Sequence, residues 1–342
     1  MNTVTVQSES FSAILTRYES DLQRCRHYIV AGLQVDTATV LLTRYVAGGK
    51  FFRACLVFLA AAATGGDPKQ LIPAAATVEL LHTASLIHDD ILHGATVRRG
   101  RPALDVQVGM EPALVLGDYL ILQAFAVLRD ADAAFEVARV LEALHALNQY
   151  ARACCLGKLG KLLSSSHTDP EEEYLAIARG KTGAPFPAAA ALPVILNGGS
   201  TTDIEALRTY GLNLGIAMQI RDDILDLTGD AQVLGKPVGN SLARGRPLLP
   251  LIYLDRYGSR AGRREYLRIQ QRGNERVALL ALLKEEGIVH RVESIHERHL
   301  STALQALECL PRSDEVVPLR VLAHVATSHS SCHHLVQPGG HP

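Results

Sequence analysis

Two acid clusters interrupt otherwise apolar stretches: Asp89 and Asp90 in LIHDDILH, then Asp222, Asp223 and Asp226 in QIRDDILDLTG. Positions i and i+4 of a helix share a face, so Asp222 projects with Asp226 and Asp89 with His93. Carboxylates presented this way are hard oxygen ligands, and Mg²⁺ binds a few of them together with waters and substrate phosphates. Beyond the first cluster come Arg98 and Arg99, cations of the kind that grip phosphate oxygens. One such acid cluster is also what a capped, solvated helix carries. Two near-copies inside apolar sequence, with arginines beside one of them, point to a site that handles a metal and an anion together.

Acids held in that way need long helices behind them, and the chain has the sequence for it. Ala/Leu-rich segments with helical spacing run over 72–92, 111–128 and 203–229, while Val/Ile/Thr alternation is nearly absent. Breaks fall at Thr64–Pro68, Ser164–Pro170, Asn197–Thr202 and Gly235–Pro250, where Gly, Pro and small polar residues cluster. No stretch reads as an interdomain linker. The pattern predicts one all-α domain over 1–328, a single-domain bundle of ten or more helices in which an inner set is wrapped by others. The basic run over 259–276 reads as a solvated face. The tail 329–342 contains His and Cys, yet it reads as a disordered terminus.

Composition removes other classes. The 342 residues are 48% hydrophobic, enough for a large core, and the net charge of -1 leaves no electrostatic footprint for nucleic acid. The first ten residues lack the basic flank and apolar run of a signal peptide. The longest apolar run, over 54–63, is far short of the roughly 20 residues of a transmembrane segment. Six cysteines without paired metal spacing suit reduced thiols in a cytoplasmic protein.

Five ordered blocks between about Gly48 and Tyr253 resemble the trans-isoprenyl (polyprenyl) diphosphate synthases. The blocks are GGKFFRACL, LLHTASLIHDDILHGATVRRGRPA, GDYLILQAF, RGKTGAPF and the long run from Leu214 to Leu254. The resemblance implies the isoprenoid synthase fold around a central cavity and a homodimer. It implies a Mg²⁺-assisted joining of isopentenyl diphosphate to an allylic prenyl diphosphate. Diphosphate leaves readily only when cations neutralise the charge that develops on it.

Carried over residue by residue, the resemblance makes Asp89, Asp222 and Asp226 metal-binding acids. Asp90 joins them in a supporting part, as does Asp223. Arg98, Lys181, Lys236 and Arg246 would hold the allylic diphosphate, with Gln219 and Thr182 beside it and Lys181 taking part in catalysis. Lys50, Arg53, His82 and Arg99 would hold isopentenyl diphosphate. If Arg98 and Arg99 lie on a helix they point about 100° apart and serve two different phosphates.

Several positions depart from the family's pattern. His93 stands where the family has an acid, and nitrogen is a poor ligand for Mg²⁺, so a hydrogen bond to metal-bound water or phosphate suits it better. GKLGK places Lys158 and Lys161 where the family carries acidic or amide side chains, and Ser241 replaces a loop acid. Lysines taking over part of a metal's charge, or a weakened or redirected catalysis, both account for this. Pro185 and Pro187 are expected to kink the helix after Lys181.

Ala84 and Ser85 lie one turn before Asp89, where an aromatic side chain would close a tunnel for the growing hydrocarbon. Both are small, which favours a product longer than about fifteen carbons unless Leu81 or Phe125 closes the tunnel deeper down. Two other functions stay open on the same fold. A terpene-cyclase-like enzyme would ionise one allylic diphosphate and have no use for Lys50, Arg53, His82 and Arg99. A regulatory subunit of a heteromer would explain His93, Lys158, Lys161 and Ser241, against the intact second acid cluster.

Overall fold

The computed structural model describes residues 11–33, 42–43, 45–46, 48–49, 51–98, 100–163, 169–180, 185–229, 239, 242, 248–272, 275–311 and 313–328, without the side chains of 160–163 and 313. Regular structure among them is helical apart from one ribbon. The helices begin with α1 (Phe11–Gly32), α2 (Phe52–Ala63), α3 (Ile72–His93), α4 (Leu104–Val108) and α5 (Met110–Arg129). They continue with α6 (Val137–Leu163), α7 (Pro170–Ala178), α8 (Pro185–Leu196), α9 (Thr201–Thr228) and α10 (Leu249–Tyr257). The last four are α11 (Arg260–Gln271), α12 (Arg276–Glu285), α13 (Ile288–Ala306) and α14 (Ser313–Thr327). The three segments read as helices at 72–92, 111–128 and 203–229 are α3, α5 and α9.

The chain divides into two compact units, Met1–Arg152 with Pro185–Arg208 and Leu307–Val321, and Ala153–Ala184 with Thr209–Ala306 and Leu322–Pro342. In the first, α3 packs against α1, α2, α5 and α8. It can do so because Ala74, Ala75, Ala76 and Ala84 are small and fully buried, so neighbouring backbones come close. Its buried Thr77 hydroxyl donates to the Ala124 carbonyl of α5 at 3.1 Å. Gly117 of α5 is required by the same crossing, since a Cβ there would sit 2.3 Å from His88 Nε2.

In the second unit α9 buries Ile216, Ile220, Ile224 and Leu227 against Leu249, Leu254, Leu279, Leu283 and Val292. Spacings of four, four and three residues put these side chains on one face. Each is worth about 1.5–3 kcal/mol when buried, so the stripe fixes the rotation of the helix and keeps Asp222 at the surface. Arg276 closes the end of α9, donating from Nη1 to the carbonyls of Leu227 at 3.0 Å and Gly229 at 2.8 Å. These carbonyls have no partner further along the helix.

Two sequence expectations change. Pro185 and Pro187 occupy the first turn of α8, where a missing N–H costs nothing, and so they start a helix instead of kinking one. Arg98 is not helical either: it lies in β1 (Val97–Arg98), paired with Arg101 in the antiparallel β2 (Arg101–Pro102). Gly94 (φ 59) ends α3 and Gly100 (φ 74) allows the turn between the strands. The expected 100° offset from Arg99 therefore does not apply.

The basic run forms α11, with Arg260, Arg264 and Arg268 exposed and Ile269 buried, as a solvated face requires. Pro68–His93 and Met110–Ala133 are each long and apolar enough to cross a membrane by length and composition alone. The first is mostly buried within its unit, as a core helix would be. The tail 329–342 lies outside the described residues.

Candidate active site

The first acid cluster ends α3. Asp89 and Asp90 sit in its last two turns and are 9% and 1% exposed. The C-terminal end of a helix carries partial negative charge, which disfavours acids by some 0.3–1 kcal/mol each, and burial adds to the cost. Both acids therefore need cations nearby. Asp90 has one: Arg98 Nε donates to its two oxygens at 3.1 and 3.0 Å, and Nη2 donates to Oδ1. Hydrogen bonding to Asp90 holds the Arg98 guanidinium above its usual range. The Tyr45 hydroxyl donates to Asp90 Oδ2 at 2.8 Å. His93, the last residue of α3, is half-buried.

Higher on α3 the site is prepared from within. Glu79, 4% exposed, accepts the backbone amides of Arg53 and Ala54 at 3.1 and 3.0 Å. It thereby caps α2 and fixes the start of the helix that carries Arg53. The Arg53 guanidinium lies over the Phe186 ring, 4.7 Å from its centroid. Burial pushes the thiols of Cys25 and Cys55 up, that of Cys55 to about 12, and the Glu79 charge adds to both shifts. His82 is half-buried, and its carbonyl accepts the Ser85 hydroxyl at 2.7 Å. Ala84 is fully buried and Ser85 half-buried, with Leu81 and Phe125 half-buried as well.

The second acid cluster lies in the last two turns of α9, so the same helix-end argument holds. Asp222 is exposed and Asp226 is 8% exposed. Asp223 turns inward: Gln219 Nε2 donates to its Oδ1 at 2.9 Å and the Leu249 amide to its Oδ2 at 3.2 Å. Burial pushes Asp223 up to about 7 against the pull of these donors, and the Asp222 charge adds to the rise. The Tyr174 hydroxyl is buried beside Asp223 without a partner of hydrogen-bonding geometry among the described residues. Burial and the Asp223 charge push that phenol well above its usual range. Arg221 Nε donates to the Thr327 carbonyl at 2.9 Å, tying this part of α9 to the end of α14.

Asp89 in the first unit, and Asp222 and Asp226 in the second, each present carboxylate oxygens, the donor type that suits a hard divalent cation. Among the described residues no three His, Cys, Asp or Glu side chains converge on one metal position. Lys158 is half-buried on α6. The neighbouring Gly157 meets Gly180 so closely that a Cβ on either would stand 2.8 Å from the other's Cα. The chain at Gly180 thus runs alongside α6. Lys50, Arg99, Lys181, Thr182, Lys236, Ser241 and Arg246 lie outside the described residues, as does the side chain of Lys161.

Tyr45, Glu79, Tyr174, Arg221 and Arg276 were not legible as site residues in the sequence. Only Glu79 leaves a signal there, being the one acid between Ala74 and Ala84.

The family model for polyprenyl synthetase matches residues 36–285. A short chain isoprenyl diphosphate synthase of Methanothermobacter thermautotrophicus is 36% identical over 281 residues, 81% of this chain and 85% of that protein. An octaprenyl diphosphate synthase of Haemophilus influenzae is 29% identical over 315 residues, covering 90% and 94%. The crystal structure of a polyprenyl synthase from Caulobacter crescentus, complexed with calcium and isoprenyl diphosphate, superposes with a TM-score of 0.80. That match is 28% identical and covers 95% of this chain and 98% of that one. The all-α fold is therefore the isoprenoid synthase fold.

Proposed function

The chain belongs to the polyprenyl synthetase family and is thus a prenyltransferase, and from that membership we propose that it joins isopentenyl diphosphate to an allylic prenyl diphosphate. Mg²⁺ is the proposed cofactor: bound by carboxylates and diphosphate oxygens, it would neutralise the charge of the leaving group. The observation that carries this reading is the burial of Asp89 and Asp226 at the carbonyl ends of two helices. A bound cation is favoured beside acids in that position.

In this reading Asp89, Asp222 and Asp226 bind the metal, with Asp90 and Asp223 in support. Arg98, Lys181, Lys236 and Arg246 hold the allylic diphosphate by fork or point charge, with Gln219 and Thr182 beside it. Lys50, Arg53, His82 and Arg99 hold the diphosphate of the second substrate, and Glu79 keeps Arg53 in place. The allylic C–O bond breaks, the double bond of isopentenyl diphosphate attacks the freed carbon, and a proton is lost from the adduct. The small Ala84 and Ser85 support a product longer than about fifteen carbons.

A homodimer and a cytoplasmic location belong to the same reading. Val115 and Leu122, seven residues apart on α5, are 65% and 70% exposed, which suits a face covered by a second copy. The deciding experiment supplies purified protein with Mg²⁺, isopentenyl diphosphate and each allylic primer in turn, and sizes the products. Elongated product from at least one primer is expected. Release of diphosphate without elongation would favour a cyclase-like enzyme, and inactivity with every primer would favour a regulatory subunit.

A further inference from the structure

Along α11 the arginines stand in a row. Arg260, Arg264 and Arg268 follow one another at four-residue intervals, and Arg272 continues them as the C-cap, its backbone still near helical (φ -87, ψ 8). All four are exposed, while Gly262 and Ile269 bury the opposite side of the helix. Neighbours in such a row are about 6 Å apart on one face, and their repulsion weakens a helix. The first turn adds to this, for it holds Arg260 and Arg263 and no acid, at the end where a helix favours acids. Glu286 reaches that end but is taken up by the Ser259 amide and hydroxyl, each at 2.7 Å.

Little within the fold offsets the cost. Arg268 pairs with Glu265 at 3.0 Å, whereas the side chains of Arg260, Arg264 and Arg272 meet no carboxylate among the described residues. Residues 256–276 hold seven arginines against two glutamates, and the rest of the chain has 27 Lys and Arg against 33 Asp and Glu. Positive charge is thus gathered at one place on an otherwise acidic chain. A local choice that costs stability and returns nothing inside the fold marks a surface kept for something outside it.

Leu267 selects among the anions that arginines attract. It follows Arg260 by seven residues and Arg264 by three, so it shares their face, and it is 57% exposed. A nucleic-acid backbone or an acidic protein segment answers the arginines but has no use for an apolar side chain among them. An anionic bilayer answers both. Headgroup phosphates take the guanidinium forks, while Leu267 and the arginine stems enter the acyl boundary.

We propose that α11 docks the protein reversibly on an anionic lipid bilayer, with Arg260, Arg264, Arg268 and Arg272 on the headgroups and Leu267 at the acyl boundary. The inference stands on α11 itself and goes beyond the proposed reaction, whose hydrocarbon product such docking would deliver to a membrane.

The test uses the whole chain and two kinds of vesicle, one of phosphatidylcholine alone and one with about a third phosphatidylserine. Flotation should carry the protein with the anionic vesicles at low salt and release it at roughly 0.5 M salt, where exposed charges are screened. Arg260→Gln, Arg264→Gln and Arg272→Gln together should weaken partitioning on the order of a hundredfold, about fivefold for each arginine. Arg24→Gln, Arg129→Gln and Arg208→Gln remove as much charge from other exposed positions and should change it by less than about threefold. The sequence has no Trp, so Leu267→Trp supplies a lone indole. Its emission should shift to the blue on anionic vesicles and hold still on phosphatidylcholine.

The proposal is overturned if the wild-type chain ignores anionic vesicles, if both triple variants lose equal affinity, or if RNA homopolymer is retained where vesicles are not. Should the α11 triple variant misfold, the emission of Leu267→Trp decides, and an unmoved spectrum on anionic vesicles overturns docking. Absence of product from the wild-type chain would sink the proposed reaction and leave the lipid result standing.

Discussion

Glu79 and Arg53 are joined through the backbone, one carboxylate oxygen accepting the amide of Arg53 at 3.1 Å and that of Ala54 at 3.0 Å. The acid supplies the anion that the N-terminus of α2 favours, directly after Phe51, a non-glycine residue in the left-handed region (φ 52, ψ 34). Glu79→Ala would leave two amides unpaired and buried, a loss of about 2–4 kcal/mol. The KM for isopentenyl diphosphate should rise with it as Arg53 loses its seat. Urea denaturation and substrate titration check both, and wild-type values in each would exclude a role for Glu79 in seating Arg53.

Asp226→Ala should abolish turnover, with little rescue by added Mg²⁺. On the proposed function, with His93 in place of an acid in the first cluster, the second would carry most of the metal binding. A loss of at least about a thousandfold in kcat is expected when a metal ligand is removed. Near-normal rates across a Mg²⁺ titration would mean that the metal is held elsewhere.

Ser85→Phe and Ala84→Phe test the limit on chain length. A hydrocarbon tail needs an apolar path, and a ring buried in a packed helix interior is not easily displaced. Product should shorten to about fifteen carbons or fewer while the KM for isopentenyl diphosphate holds. If chromatography finds the same product length in both variants, the tail does not pass this turn of α3.

His299 should contribute a loss of stability in mild acid, opposite in sign to the gain from the raised carboxyl of Asp223. The His299 ring is partly buried, with Nδ1 2.8 Å from Asn213 Oδ1, and burial lowers its affinity for a proton, helped by the charges of Arg179 and Arg298. The unfolded chain protonates near pH 6.5, while the folded chain resists. Proton uptake by the unfolded state alone therefore drains stability as pH falls through that value. His299→Gln should flatten this part of the profile in denaturation series at pH 7.5 and 5.5. An unchanged slope would assign the pH dependence to other groups.

The helices could be read from the sequence because their apolar residues repeat at helical spacing, and α3, α5 and α9 fall within two residues of the stretches so marked. The acids could be read because charge inside apolar helix is costly and needs a purpose. Tyr45, Arg221 and Arg276 could not. Their partners lie 45, 106 and 49 residues away in sequence, and only the packed chain brings them together. The ribbon that holds Arg98 was missed for a different reason, since two-residue strands set by Gly94 and Gly100 leave no periodicity.

The contact between Gly157 and Gly180 ties the history of two distant positions together. Each is already the smallest residue, and what each meets is backbone, so no change in a neighbouring side chain can make room for a methyl group at either. Accumulating substitutions can therefore alter Lys158 or Lys181 freely only while both glycines stay as they are. Selection for new chemistry at those lysines would have to work through side-chain exchange, never through re-spacing of the two segments.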